Sequence, residues 1–193
     1  MSEHGEQRPF AEASHELLQR LMEGVPEELQ AYPHFVVWKY IPNGERMTKP
    51  PINPITGHFA DPTDPQTWGT FHQALRALSS GRFHSVGFVF AEDDPFTGTD
   101  LDHCVQADGT LEPWAQDIVT ALDSYTEYSP SGNGLHVLTK ATLPGRKVGS
   151  VEMYSEKRFF TLTGNHYADT PLAVLDRQEE QERQYNALTP ADP

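Results

Sequence analysis

Three things are scarce in this sequence: cysteine, long apolar runs and basic residues. Cys104 is the only cysteine in 193 residues, which excludes an internal disulfide framework and any multi-cysteine zinc site. The longest apolar runs, such as 86–90, are far shorter than the ~20 residues that a membrane-spanning helix needs. The N-terminus is polar and acidic, without the apolar segment of a secretory signal. We therefore expect a cytoplasmic protein that does not contact membranes.

Basic residues are outnumbered two to one, at 14 against 28 acidic residues, so that the formal net charge is −14. Taken alone, this balance disfavours nucleic-acid binding, since phosphates need Lys and Arg partners. The charges are unevenly distributed, however: residues 129–164 carry five cations against two carboxylates, whereas residues 92–108 carry six carboxylates. Clustered carboxylates beside a basic segment suit metal-dependent phosphate chemistry. An ordinary acidic protein is the alternative interpretation of the same charges.

Hydrophobic periodicity and turn residues predict short helices and strands in mixed order, with no fixed-period repeat. The aromatic content of ten Phe, seven Tyr and three Trp is sufficient for a packed core. The predicted helices are 11–24, 65–79 and 113–125, and the predicted strands are 34–41, 85–91, 98–103, 134–140, 149–154 and 158–163. Because the strands occur in runs between helices, we expect an α+β fold with a mixed or antiparallel sheet and flanking helices.

Composition divides the chain into three segments. Residues 1–33 form an acidic helical segment, residues 34–170 the core, and residues 171–193 an acidic polar tail or linker. From about residue 176 the sequence is too polar to pack well, so we expect a linker or the end of a domain within a longer chain.

Three acidic residues lie in predicted strands of the core. Asp100 and Asp102 are two positions apart on one short strand, so both project from the same face. Two adjacent carboxylates repel each other unless a divalent cation or a shared proton lies between them. Glu152 interrupts a later apolar strand. A solvated strand edge is the ordinary alternative for each of them.

A turn rich in serine and glycine precedes the strand that carries His136. Ser129, Ser131, Gly132 and Gly134 form a small, flexible turn that can bring backbone N–H groups close to an anion. No GK[ST] follows, so this turn is not a Walker loop. A structural histidine is the alternative, but the turn before it favours phosphate contact.

In this order and spacing, these motifs resemble the archaeo-eukaryotic primase superfamily, and more closely the primase-polymerase domains of phage and plasmid replication proteins. That family has a DxD strand, an sxH strand and a strand with a third acidic residue, which correspond here to Asp100 and Asp102, His136, and Glu152. The phage-type branch is also matched by the stretches SYTEYSPSGNGLHVL, VEMY with RFFTLTG, KPPINPITG, DPTDPQTW and GFVF. The resemblance covers about residues 36–166.

The resemblance implies an RRM-like catalytic core and a nucleotidyltransferase activity, with nucleotides passing from (d)NTPs to a primer 3′-hydroxyl on template DNA. A two-metal site for Mg²⁺ or Mn²⁺ is implied at Asp100, Asp102 and Glu152, whose oxygens suit these hard cations. By family analogy the triphosphate is held by His136 and the preceding turn. The implied turn residues are Ser129, Ser131 and Gly132.

Three further residues are candidates for nucleotide binding. Arg158 is a candidate phosphate clamp, because its guanidinium can contact two oxygens; an ion pair with Glu156 is the alternative. Phe159 is a candidate for contact with the sugar, although it or Phe160 also suits the core. Lys49 is a candidate for contact with template or nucleotide, with a solvated lysine as the alternative.

Many relatives continue into a small helical priming domain and a helicase, so we expect such a partner on the same chain or on another. Two other functions remain open. A metal-dependent nuclease or phosphohydrolase needs the same carboxylates and histidine. The other is a non-catalytic primase-like module, which would have the same fold and bind nucleotides or single-stranded DNA without catalysing a reaction.

Overall fold

Two antiparallel sheets form the centre of the computed structural model, which describes residues 14–188. The four-stranded sheet has the spatial order β11 (Arg158–Leu162), β5 (Ser85–Phe90), β1 (Phe35–Trp38) and β4 (Pro51–Ile52). The five-stranded sheet has the order β7 (Thr126–Tyr128), β8 (Leu135–Lys140), β6 (Phe96–Leu101), β10 (Val151–Tyr154) and β9 (Arg146–Val148). A separate hairpin joins β2 (Ile41–Asn43) to β3 (Arg46–Thr48).

Helices flank both sheets. They are α1 (Ser14–Gly24), α2 (Glu27–Gln30), α3 (Phe71–Leu78), α4 (Pro113–Leu122) and α5 (Gln178–Ala187), with a 3-10 helix over Pro65–Thr67. The predicted α+β fold with antiparallel sheets and flanking helices is therefore confirmed. Within the described residues, no helix is long and apolar enough to span a membrane.

The two sheets face each other across an aromatic core. The rings of Phe90 and Phe160, from neighbouring strands of the four-stranded sheet, meet edge to face with centroids 5.1 Å apart. Gly98 of β6 allows the five-stranded sheet to approach them, because a Cβ there would lie only 2.5 Å from the ring of Phe160. The shared core of Phe88, Phe96 and these rings therefore fixes the distance between the sheets.

The opposite face of the five-stranded sheet is covered by α4 and α5. Leu101 and Val137 pack there against the apolar face of α4. From α5, the fully buried Gln181 donates to Thr99 Oγ1 at 2.8 Å and accepts from Thr139 Oγ1 at 2.9 Å. One fully satisfied amide thus fastens a polar helix to the sheet.

Two predictions need correction. The segment from about residue 176 was expected to be too polar to pack, but α5 packs through hydrogen bonds, which a hydrophobic pattern does not detect. The helix predicted over 65–79 is divided, because Thr70 and Gln73 form a capping box that starts α3 at Phe71. The start of the predicted helix at residue 11 and residues 189–193 of the tail lie outside the described residues. The segment boundaries stay predictions.

Candidate functional site

Five polar residues occupy a continuous row across the five-stranded sheet, one on each strand. Glu127 pairs with His136, His136 with Asp100, Asp100 with Glu152, and Glu152 with Lys147. Residues directly opposite each other on neighbouring strands share a face of the sheet. We call these five residues the polar row. The row brings together two of the predicted carboxylates and the predicted histidine.

The polar row faces the four-stranded sheet. Gly98 lies two residues before Asp100, so both are on the same face of β6, and Gly98 is the point at which the two sheets touch. The ring of His136 lies against Phe160 of the opposite sheet, with centroids 5.2 Å apart. The row therefore lies in the cleft between the sheets, where the apolar core gives way to polar side chains.

Asp100 is the central carboxylate of the row. Its Oδ1 atom is buried and has no hydrogen-bond partner within the described residues; the nearest ring nitrogen, His136 Nε2, is 3.6 Å away. Burial raises the pKa of Asp100, with further increases from the charges of Asp102 and Glu152, and His136 and Lys49 act in the opposite direction. An unpaired buried carboxylate oxygen is costly, and a bound cation would remove that cost.

Glu127 was not anticipated from the sequence. Its carboxylate is fully buried and accepts from the Tyr125 hydroxyl at 2.9 Å and from the amides of Thr163 and Gly164 at 3.0 and 2.9 Å. Its Oε1 atom lies 3.6 Å from His136 Nδ1. The available signal was an acidic residue inside the short strand TEY, immediately before the Ser/Gly turn.

His136 lies between two carboxylates. Burial lowers the pKa of His136, but the interactions with Glu127 and Asp100 outweigh this, and the net direction is upward. Its two ring nitrogens face different partners, Nδ1 towards Glu127 and Nε2 towards Asp100. The negative charge of Glu127 therefore favours the protonated form of the imidazole, although at 3.6 Å it makes no hydrogen bond with Nδ1.

The other predicted metal ligands, Asp102 and Glu152, flank Asp100. Asp102 follows the end of β6, where its amide donates to the Ser150 carbonyl at 2.8 Å, and Glu152 forms an ion pair with Lys147. As the side chains stand, the described residues contain no group of three His, Cys, Asp or Glu arranged to hold a metal ion. The unpaired oxygen of Asp100 and two adjacent carboxylates nevertheless fit the all-oxygen donor set of Mg²⁺ or Mn²⁺, provided that Glu152 leaves Lys147.

The Ser/Gly turn lies directly against the end of β6. Its shape is fixed by the Ser129 amide bonding to the Gly134 carbonyl at 2.9 Å and by Gly132, whose φ is +77°. A Cβ at Gly134 would lie 2.8 Å from the Leu101 carbonyl oxygen, so the turn needs glycine there to approach the DxD strand. The three predicted turn residues, Ser129, Ser131 and Gly132, also line one cavity of about 350 Å³.

Lys49 and Arg158 each lie over an aromatic ring. Lys49 has its ammonium 5.8 Å from the centre of the Trp38 ring, and its charge acts on both Asp100 and His136. The guanidinium of Arg158 lies over the Tyr154 ring at 4.6 Å, on the same face as Glu152 but two residues further along β10. Of these two cations, Lys49 is the one whose charge acts on Asp100.

Phe159 is not brought to the site. It lies on the face of β11 opposite to Phe160 and packs on Gly87 together with Val36 and Val89. Because side chains alternate along a strand, Phe160 and not Phe159 reaches the ring of His136.

The chain was compared with known proteins. No protein-family model matches it. It is 37% identical over 145 residues to the DNA primase-polymerase of Nitratiruptor phage NrS-1, a match that covers 70% of this chain and 20% of that protein. The chain therefore spans about a fifth of the length of the curated relative it matches. The DxD, sxH and third-acid motifs on adjacent strands, together with this match, place the chain in the phage-type primase-polymerase family.

Proposed function

We propose that this chain is the catalytic domain of a DNA primase-polymerase. It would act as a metal-dependent nucleotidyltransferase that adds nucleotides from (d)NTPs to a primer 3′-hydroxyl on template DNA, in phage or plasmid replication. The observation that carries the proposal is the polar row, in which the unpaired buried oxygen of Asp100 lies between His136 and Glu152. The match to a phage primase-polymerase supports the same activity.

In this reaction the primer 3′-hydroxyl loses its proton to solvent and its oxygen forms a bond to the α-phosphorus. The bond from the α-phosphorus to the oxygen that bridges to the β-phosphate breaks, and pyrophosphate leaves. Asp100 and Asp102 would hold Mg²⁺ or Mn²⁺, joined by Glu152 when it is released from Lys147. Bound divalent cations supply Lewis-acid stabilisation of the attacking and leaving oxygens. Without them, Asp100 and its acidic neighbours would repel the triphosphate.

His136 would donate from Nε2 to the triphosphate, and Glu127 would hold the Nδ1 proton. This division follows from the two faces of the ring, since Nδ1 faces Glu127 and Nε2 faces Asp100. A protonated imidazole donates from both nitrogens and carries a positive charge, which suits an anionic ligand.

The Ser/Gly turn would contact the phosphates through hydroxyl and backbone N–H groups. Ser129, Ser131 and Gly132 line the same cavity. Lys49 would add a positive charge at the carboxylates, and Arg158 would contact a ligand that extends along β10. A helical priming domain or a helicase, on this or another chain, would be the partner for primer initiation.

Extension of a labelled primer tests the proposal. The wild type and the double variant Asp100→Ala/Asp102→Ala are compared on template DNA with Mg²⁺ or Mn²⁺, using dNTPs and NTPs in parallel. The exposed Asp117, on α4, provides a matched control as Asp117→Ala. We expect extension by the wild type and the control, and its loss by at least about 100-fold in the double variant.

The other outcomes separate the alternative functions. Primer degradation without nucleotide, abolished in the double variant, would assign the site to a nuclease. Nucleotide binding without extension would assign it to a non-catalytic binding module. Extension that persists in the double variant would overturn the role of the polar row.

A further inference from the structure

A cavity of about 350 Å³ is lined by the Ser/Gly turn and by Thr163, whose amide bonds to Glu127 of the polar row, and helix α1 forms one of its walls. The other walls come from the ends of β1 and β5, the Ser/Gly turn, Thr163 and Asn165. Its volume falls within the range of small-molecule sites. The N-terminal helix, which composition assigns to a separate segment, therefore contributes to a cavity at the site.

No carboxylate lines this cavity, although the chain has 28 acidic residues. Another cavity, at the far end of β5, is lined by three carboxylates, those of Glu92, Asp93 and Glu156, against the one cation Lys157. The charged side chain in the wall of the cavity at the Ser/Gly turn is Arg20 of α1. This cavity thus suits an anionic ligand, whereas the cavity at the far end of β5 does not.

Arg20 is oriented by one hydrogen bond and keeps its charge available. Its Nε atom donates to the Thr163 carbonyl at 3.0 Å. Within residues 14–188, no carboxylate lies within ion-pair distance of Arg20. A guanidinium held through Nε can present its two terminal nitrogens to phosphate oxygens.

Two glycines allow α1 to lie directly on the segment that holds Glu127. A Cβ on Gly24 would overlap the carbonyl group of Gly164. Gly164 itself has φ +64°, and a Cβ there would lie 2.6 Å from the Arg20 carbonyl oxygen. Because the amide of Gly164 also bonds to Glu127, Arg20 and the polar row share one rigid support.

Aromatic rings form the wall at the end of β1. His84 stacks on Trp38 with centroids 5.8 Å apart and an interplanar angle of 12°, and Tyr40 meets His84 edge to face at 5.0 Å. Tyr40 is 38% exposed. Exposed aromatic rings stack on nucleobases with little sequence preference.

We propose that this cavity is the nucleotide pocket, in which Arg20 binds the phosphates of a (d)NTP and Tyr40 contacts its base. The inference rests on the proposed function and deepens it, since it makes α1 part of the nucleotide site. It assigns to Arg20 the phosphate contact that the sequence pattern suggested for Arg158.

Binding of dATP, dAMP and deoxyadenosine tests this assignment. Calorimetric titrations at fixed Mg²⁺ compare the wild type, Arg20→Ala, Arg20→Lys, Tyr40→Ala and the control Arg76→Ala, which removes an exposed cation from α3. We expect Arg20→Ala to weaken dATP about tenfold, dAMP less and deoxyadenosine not at all. The affinity of Arg20→Lys for dATP should lie between those of the wild type and Arg20→Ala, since lysine keeps the positive charge but lacks the two terminal guanidinium nitrogens. Tyr40→Ala should weaken all three ligands alike, and Arg76→Ala none.

The outcomes distinguish this inference from the proposed function. Equal weakening of dATP and deoxyadenosine by Arg20→Ala would indicate a merely structural role and overturn the assignment, as would unchanged dATP binding. If the variants show the expected pattern of nucleotide binding but the wild type extends no primer, the proposed polymerase activity is refuted and the assignment of the nucleotide pocket stands. If the wild type extends primers and Arg20→Ala binds dATP normally, the assignment of the nucleotide pocket is refuted, but the proposed polymerase activity is not.

Discussion

At the scale of single residues, Glu127 lies 3.6 Å from the histidine of the polar row, and other groups fix both of its carboxylate oxygens. Its Oε1 accepts from the Thr163 amide, and its Oε2 accepts from the Tyr125 hydroxyl and the Gly164 amide. A glutamine would place an NH₂ group against one of these donors. We therefore treat Glu127 as a positioning residue, since it acts on the ligand through His136.

Glu127→Gln should lower both stability and nucleotide affinity. A buried donor facing another donor costs about 1–3 kcal/mol, which urea unfolding would measure. We also expect weaker binding of dATP, because His136 loses the negative partner of Nδ1. The matched control is Glu156→Gln, which lies outside the row. Unchanged unfolding and binding in Glu127→Gln would contradict this role.

Cys104 should be unreactive in the folded protein. The thiol is fully buried, donates to the Leu101 carbonyl at 3.3 Å, and burial raises its pKa to about 11. Because the thiolate is the reactive form, only about one thiol in a thousand is ionised at pH 8. Ellman's reagent should react with it only after denaturation. Rapid reaction of one thiol per native chain would contradict the placement of this turn.

At the scale of elements, Gly98 sets the distance between the sheets. A methyl group there would meet the rings of Phe160 and Phe90 at 2.5 and 2.6 Å. Gly98→Ala should therefore destabilise the protein by about 1–3 kcal/mol through overpacking. The double variant Gly98→Ala/Phe160→Leu makes room for the methyl group and should recover part of that loss in urea unfolding. Additive effects of the two changes would argue against the contact.

Helix α5 supports the catalytic strands from behind. Gln181 bridges Thr99 of β6 and Thr139 of β8, the strands that carry Asp100 and His136. Gln181→Ala leaves two buried hydroxyls without their partner, at a cost of about 1–3 kcal/mol. Hydrogen exchange in β6 and β8 should accelerate, whereas the exposed Asn186→Ala should change nothing. Wild-type exchange in Gln181→Ala would show that α5 does not brace these strands.

At the scale of the whole molecule, the acidic surface limits the affinity for DNA. Residues 39–49 carry three cations against one carboxylate and include Lys49, whose charge acts on Asp100, whereas the chain as a whole carries −14. If these three cations contact phosphates, the logarithm of the affinity for single-stranded DNA should fall with a slope of about −2 against the logarithm of salt concentration. Fluorescence anisotropy of labelled single-stranded DNA, recorded at salt concentrations from about 50 to about 200 mM, would measure this slope. A slope near −6 would require many more Lys and Arg contacts.

Much of the fold and of the site followed from the sequence, because strands carry their side chains with a simple period. The alternation around Asp100, His136 and Glu152 predicted three strands, and the pairing of those strands then aligns the residues in register. The period also explains the placement of Phe159, since one step along β11 reverses the face. Sequence order alone did not say which face of β11 met the site.

The features that the sequence did not predict depend on contacts between distant segments. Arg20 and Thr163 are 143 residues apart, and Gln181 and Thr99 are 82 apart. Arg20 keeps an exposed side chain and bonds to Thr163 only through Nε, whereas Gln181 is fully buried although the polar composition of its helix suggested solvent exposure. Burial of a polar group is favourable only when its partners are in place, and those partners are visible only in the folded chain.

If the polar row binds divalent cations for nucleotidyl transfer, Mn²⁺ should bind to the wild-type protein through Asp100. Electron paramagnetic resonance would measure the free Mn²⁺ left after titration of the wild type and of Asp100→Ala, each with saturating dATP and with Asp117→Ala as control. The account predicts Mn²⁺ bound to the wild type and the control, beyond the amount held by dATP alone, and the loss of that binding in Asp100→Ala. Equal Mn²⁺ binding by the wild type and Asp100→Ala would contradict it.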